Sequence, residues 1–192
     1  MPKRLIIGLS GSSAPILGIR LLEVLKQQGG IETHLIMSPT LAKTLVFEAE
    51  AWSVDRVKAL ATFCHDSANL AAPVASGSFQ AEGMVIMPCS MKSLAAIAVG
   101  FGDNLLTRAA DVTLKERRRL VLVPRETPLN LAHLRNMVSV TEMGGIILPP
   151  MMAFYHQPKT PMDLVDHTVG KVLDQLKIPH DLFARWKGTN QK

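Results

Sequence analysis

The sequence predicts a doubly wound, mostly parallel α/β sheet in three layers, α/β/α. Three observations carry that reading. Five short apolar runs stand out, most of them nearly continuous: "RLIIGLS" (4–10), "IETHLIMS" (31–38), "GMVIMPCS" (83–90), "LVLVPRE" (120–126) and "GGIILPP" (144–150). Strands covered on both faces of a parallel sheet read this way. Stretches with helical spacing alternate with these runs, so right-handed crossovers follow. Hydroxyls, cations and carboxylates cluster just after the runs, at the edge where such sheets bind ligands.

Taken in order, the first strand is followed by "APILGIRLLEVLKQQGG". It places Leu17, Leu21, Val24 and Leu25 on one stripe and stops at Gly29-Gly30. The segment 46–77 is the hardest to assign, with "WSVDRVKALATF" (52–63) its better helix candidate. "PCSMK" reads as a turn and a helix start. "TRAADVTLKERRR" (107–119) and "NLAHLRNMVSVTEMG" (130–144) are helix-like. "PMDLVDHTVGKVLDQL" (161–176) is a late helix opened by a Thr160 cap and a first-turn Pro161. At 192 residues, 47% hydrophobic and 19% charged, the chain is expected to form one domain over 1–192. A tail with an aromatic anchor begins near residue 180.

Composition narrows the function classes. No apolar run approaches the roughly 18 residues of a membrane span. Cys64 and Cys89 do not suggest a disulfide framework, which fits a cytoplasmic setting. The net charge of +5 is mild, and no basic run carries interleaved aromatics, so a nucleic-acid partner is not expected. His34, His65 and His133 have no partner at metal spacing, and no metal is expected.

The residues after the strands are Ser10, Gly11, Ser12 and Ser13; Ser38 and Thr40; Cys89, Ser90, Met91 and Lys92; Arg125 and Glu126; and Phe154 with Tyr155. Each has a plain alternative. Serines after a strand are often helix caps. Arg125 and Glu126 read equally as a surface pair. Arg108, Asp111 and Lys115 read as a solvated ladder on one helix face. Convergence on one sheet edge is what favours a site. The first turn is neither G-x-G-x-x-G nor a Walker loop. Glu32 opens the second strand, where a dinucleotide site has an acid at the strand's end. A mononucleotide such as FMN fits better.

The motifs "GLSGSSAPILG", "THLIMS", "SGSF", "MPCSMKSLAAIAVGFGDNLLTRAADVTLKERRRLVLVPRETPL", "GGIILPPMMAFY" and "DLFARW" cover nearly the whole chain. On these the chain resembles the flavin prenyltransferases, the UbiX/Pad family, whose fold is a Rossmann-like flavoprotein sheet. The resemblance implies joining a dimethylallyl group from dimethylallyl monophosphate to N5 and C6 of reduced FMN, without metal. The prenylated FMN would go to a UbiD-type decarboxylase. It also implies a homododecamer with sites between subunits.

Carried over by residue, FMN would meet Gly11, Ser12, Ser13, Ser38, Ser90, Met91, Lys92, Ser93 and Arg125. Arg108, Lys115, Glu126, Tyr155, Lys171 and Trp186 would surround the prenyl phosphate. Ser13 and Glu48 match a proton-handling pair, with Lys115 and Glu126 the other catalytic candidates. Glu126, Glu48 and the released phosphate all remain open as acceptors of the C6 proton. Two departures stand out: Ala14 replaces a usual glycine, and Lys171 a usual arginine. The alternatives are a cysteine decarboxylase of the phosphopantothenoylcysteine type and an FMN-binding accessory subunit of an aromatic-acid decarboxylase. The first is disfavoured because "PPMMAFY" lacks the asparagine of a P-x-M-N motif.

Overall fold

The computed structural model describes residues 3–188. Six parallel strands form one sheet: β1 (Lys3–Leu9), β2 (Ile31–Met37), β3 (Phe63–His65), β4 (Gly83–Cys89), β5 (Arg119–Pro124) and β6 (Ile146–Ile147), in the order β3-β2-β1-β4-β5-β6. The chain winds outward from β1 to β3, then returns to lay β4 on the other side of β1, so the order reverses between β1 and β4. Doubly wound sheets open a ligand crevice at such a point, beyond the carboxyl ends of the strands.

Seven helices cover the sheet: α1 (Ile16–Gln28), α2 (Leu41–Glu48), α3 (Val54–Lys58), α4 (Met91–Ala98), α5 (Leu105–Lys115), α6 (Leu131–Glu142) and α7 (Pro161–Gln175). The strand alternation sorts them into two layers. Leu5, Ile7, Leu9, Leu35, Val85, Met87, Val121 and Val123 pack with α1 and α7. Ile6, Ile36, Met84, Ile86, Leu120 and Leu122 pack with α4, α5 and α6. Both faces are therefore dry, which is why the strand sequences are almost unbroken in apolar residues.

The outer layers are pinned by specific polar contacts. Arg20 of α1 donates to both carboxylate oxygens of Asp166 on α7, at 2.7 and 3.2 Å. Thr160 caps α7 by accepting from the Asp163 amide, with Pro161 in the first turn, as the sequence predicts.

Two expectations differ from the structure. The helix expected to run to Arg119 ends at Lys115. There Arg117 turns left-handed, and the Arg118 guanidinium donates to the Gly77 carbonyl at 2.8 Å. Within the ambiguous 46–77 segment lies β3, a three-residue edge strand. Reciprocal bonds hold it in place: the Thr33 amide donates to Thr62 Oγ1 (3.1 Å), and the Thr62 amide donates to Thr33 Oγ1 (2.9 Å). Pairing made by tertiary contact leaves no apolar run to read.

Candidate active site

The turn after β1 is built around Ser10, which is buried. Its hydroxyl donates to the Pro88 carbonyl (2.8 Å) and accepts from the Ser90 amide (2.9 Å) and the Ser12 amide (3.3 Å). One side chain thus ties the β1 and β4 turns together. Gly11 is required by close approach: a Cβ there would lie 2.0 Å from Thr40 Oγ1. Thr44 Oγ1 of α2 donates to the Gly11 carbonyl at 2.9 Å. The sequence does not single out Thr44, whose role depends on where α2 docks.

Beyond Gly11 the next two hydroxyls are half-buried and bond to neighbouring elements. Ser12 Oγ donates to the Arg125 carbonyl at 3.3 Å, joining the β1 and β5 turns. Ser13 Oγ donates to Glu48 Oε2 at 2.7 Å, and the Ala14 amide donates to the same oxygen at 2.7 Å. Glu48 is the last residue of α2, so the length of that short helix delivers the carboxylate. Ala14 has φ 65°, the left-handed region. The backbone there does need the conformation that glycine takes without strain.

Ser38 shares a hydrogen bond with Thr40 Oγ1 at 3.0 Å. Ser38 also borders a cleft of about 540 Å³ between the ends of β2 and β3, lined further by Lys58 and His65. Ser90 caps α4, accepting from the Ser93 amide (3.2 Å) and donating to Ser93 Oγ (3.1 Å). The capping alternative is thus correct for Ser90. It does not hold for Ser12 and Ser13, because α1 has no side-chain cap. Met91 and Lys92 open α4, with Lys92 exposed. Arg125 and Glu126 both stand exposed after β5. They do not pair: Glu126 accepts from the Thr127 amide at 3.0 Å.

The remaining candidates lie in two other groups. Arg108 sits in the first turn of α5, donating to Asp111 (2.7 Å) and the Ala75 carbonyl (3.3 Å). Lys115 is the last residue of that helix, about 10 Å further along its axis. It pairs with its neighbour Glu116, so the expected ladder stops at Asp111. Because β5 starts four residues later, Lys115 stands at the amino edge of the sheet, opposite the hydroxyl turn.

Tyr155, Lys171 and Trp186 form the third group, between the segment after β6, helix α7 and the tail. Tyr155 Oη and His167 Nε2 are 2.9 Å apart, and the Tyr155 and Trp186 rings meet edge-on at 6.3 Å. Gly170 lets the tail dock, since a Cβ there would lie 2.5 Å from the Phe183 ring. Asp174 is held by Arg185 at 2.7 and 3.1 Å, which keeps its carboxyl below the usual range. Lys171 is only 4.0 Å from that same carboxylate and stays exposed. Arg185 therefore leaves Lys171 loosely engaged. Among the described residues, no hydrogen bond or ion pair links the three groups within one chain.

Neither cysteine is primed as a nucleophile. Burial pushes the Cys89 thiol up to about 12. Burial also raises Cys64, with Lys58 acting weakly against it. Among the described residues, no cluster of three or more His, Cys, Asp or Glu side chains could hold a metal ion.

A three-layer sheet whose serine-rich turns meet at its switch point is a nucleotide-binding architecture, and the match of the Flavoprotein family model to residues 1–177 makes the chain a flavoprotein. Flavin prenyltransferase UbiX of Escherichia coli K12 is 54% identical over 188 residues, covering 97% of this chain and 99% of the relative. A crystal structure of AnUbiX (PadA1) with FMN and dimethylallyl pyrophosphate superposes with a TM-score of 0.95 at 46% identity, covering 99% of this chain and all of that one. A dodecameric FMN-dependent UbiX-like decarboxylase from Escherichia coli O157:H7 gives 0.93 at 47% identity, covering 96% of this chain and all of that one. The chain belongs to the UbiX/Pad family of flavin prenyltransferases.

Proposed function

We propose that this chain joins the dimethylallyl group of dimethylallyl monophosphate to N5 and C6 of reduced FMN, releasing phosphate and prenylated FMN. The observation that carries the reading is the Ser13–Glu48 pair. A hydroxyl and a carboxylate are hydrogen-bonded at 2.7 Å beside a hydroxyl-lined turn, and the Ala14 amide fixes the carboxylate. Binding alone needs no such proton-handling pair.

The donor set fits a flavin mononucleotide. Ser12, Ser13, Ser38, Ser90 and Ser93 offer hydroxyls at one edge, Gly11 keeps the turn close, and Arg125 and Lys92 supply positive charge. Bound reduced FMN supplies the nucleophilic N5 and C6. The protein's part is to hold the allylic carbon at near-attack distance from them. As the allylic C–O bond breaks, negative charge grows on the departing phosphate. Arg108, Lys115, Lys171 and the Tyr155 hydroxyl stabilise that charge, most strongly where water is excluded. Glu126 completes the phosphate end. Glu48, with Ser13 as relay, is placed for proton transfer.

The site is assembled from several copies of the chain in a dodecamer. One subunit leaves its cations in separate places, with Lys115 at the far sheet edge. It also exposes Val46, Phe47, Val99, Phe101, Leu131, Met151, Met152 and Phe154, large apolar side chains that contacts between subunits would cover. The dodecameric relative supports this assembly, and the AnUbiX complex with FMN and dimethylallyl pyrophosphate supports the pair of ligands. We read residues 1–192 as one domain with a tail from about 180, working in the cytoplasm and passing its product to a UbiD-type decarboxylase. No described helix is long and apolar enough to cross a membrane.

The deciding experiment is anaerobic incubation with reduced FMN and dimethylallyl monophosphate, followed by mass spectrometry of the flavin. A flavin heavier by one prenyl group is expected. An unchanged flavin would refute the proposal and leave the accessory-subunit reading.

A further inference from the structure

Tyr155 is assigned above to the leaving phosphate, and its hydroxyl already has a partner in the chain, His167. The imidazole is 8% exposed and comes from the buried face of α7. It stacks on His156, with centroids 4.9 Å apart and planes 9° apart, and lies 4.6 Å from the Phe183 ring of the tail. Its Nε2 lies 2.9 Å from Tyr155 Oη. Lys171, the loosely held phosphate cation, lies one turn further along α7, so the helix presents the two together. Burial, then the nearby His156 and Lys171, keep His167 below its ordinary value of 6.5, with Asp174 acting in the opposite direction. At neutral pH the ring therefore carries one N–H.

That single N–H has two placements with opposite consequences. If Nε2 is bare, the phenol spends its only proton on His167 and has nothing to offer a phosphate. If Nε2 carries the proton, it donates to the phenol oxygen and leaves the phenol O–H free. A phenol that accepts one hydrogen bond is polarised into a stronger donor of its own. A phosphate monoester dianion, the main form above its second pKa of about 6, accepts but does not donate, so only the second arrangement serves it.

We propose that His167 is a positioning residue for prenyl-phosphate binding: its Nε2–H donates to Tyr155 Oη and aims the phenol O–H at the phosphate. This deepens the proposed function and rests on its assignment of Tyr155. The histidine does not touch the reacting atoms. Its ring is locked by His156 on one hand and the docked tail on the other, so the tail's order is coupled to the aim of Tyr155.

The test is a double-mutant cycle on the assembled enzyme, with KM for dimethylallyl monophosphate, kcat and FMN affinity measured separately. Tyr155→Phe is expected to raise KM about 10- to 100-fold, the loss of one hydrogen bond to a charged group. His167→Phe, which keeps the ring packing, is expected to raise KM by a similar factor with FMN affinity unchanged. The double variant should be no worse than Tyr155→Phe. His167→Gln, whose amide N–H replaces the Nε2–H, should restore KM.

A second readout does not depend on turnover, and its wild-type arm does not depend on any variant folding. The chain has one tyrosine, so the Raman Fermi doublet of its phenol reports Tyr155 alone. The doublet should show an accepting phenol in the wild type and lose that signature in His167→Phe. A silent Tyr155→Phe would remove the assignment of Tyr155 to the phosphate, and the positioning role with it. An impaired Tyr155→Phe beside a silent His167→Phe, or losses that multiply in the double variant, would overturn the role of His167 alone. So would a wild-type doublet showing a phenol that only donates.

Discussion

Replacing Ala14 by glycine should stabilise the protein, and the expected sign depends entirely on one backbone angle. Ala14 has φ 65°, where an alanine pays about 1–2 kcal/mol of steric strain. Glycine removes that strain. It also brings greater unfolded-state freedom, worth about 0.4–1 kcal/mol against folding. The half-buried Ala14 methyl packs against the core, and its loss costs about 0.4 kcal/mol, half of a fully buried methylene. Mid-range values leave a net gain of about 0.4 kcal/mol. At an ordinary right-handed position the strain term vanishes and the same change loses about 1 kcal/mol. The two cases differ by about 1.5 kcal/mol, well within reach of urea denaturation at constant protein concentration, read from the midpoint at unchanged m. Ala14→Val is the matched control, because a β-branched residue resists positive φ, and it should lose at least about 1 kcal/mol. A loss near 1 kcal/mol for Ala14→Gly would refute a left-handed Ala14 and the geometry that aims its amide at Glu48.

Four further outcomes are expected. Glu126→Gln and Lys115→Ala should abolish prenylated product while FMN still binds, whereas Ser90→Ala and Arg125→Ala should weaken flavin binding first; flavin fluorescence quenching beside mass spectrometry separates the two classes. Lys171→Arg should lower KM for dimethylallyl monophosphate about 2- to 10-fold, since a planar fork binds phosphate through two bonds where an ammonium uses one; an unchanged KM would mean that Lys171 does not face the phosphate. Burial lowers both His65 and His167 from 6.5, so the unfolded chain binds more protons in acid. Their contribution is intact above about pH 6.5 and is lost as pH falls from there through their lower folded values. Stability should therefore decline on acidification below 6.5, and His65→Gln should flatten the slope. Native protein should react with a thiol reagent at no more than one cysteine, the exposed Cys64, and denatured protein at two; rapid native labelling of Cys89 would contradict its burial.

Much of the fold is legible in the sequence because both faces of the sheet are buried. That burial writes a nearly unbroken apolar run for β4 and β5 and for most of β1, with a shorter one at the end of β2, and the helices between them keep a single stripe. The hydroxyl turn is legible for a different reason: serines after one strand are often plain caps, as Ser90 is, but polar residues following several buried strands converge on one sheet edge. β3 is not legible, because three residues at an edge, with Phe63 half exposed, are held by Thr33–Thr62 pairing rather than by a run of their own. Helix α2 is not either, since only Leu41 and Leu45 are buried along it. Yet α2 sets the site, because its last residue, Glu48, reaches Ser13 across 35 positions of chain.

By itself, the sequence determined the parallel three-layer architecture and the family. It also supplied the residue types at the carboxyl edge and the two departures, Ala14 and Lys171. All of these follow from local pattern, and a buried strand or a strand-to-helix turn imposes its pattern on neighbouring residues. Only the tertiary structure decided that Ser10 welds two turns and that Ala14 is left-handed. It likewise decided that Arg185 captures Asp174 and loosens Lys171, that Lys115 stands at the opposite edge from Ser13, and that His167 holds Tyr155. These depend on hydrogen bonds and ion pairs between segments far apart in the chain, whose partners are chosen by how the layers pack.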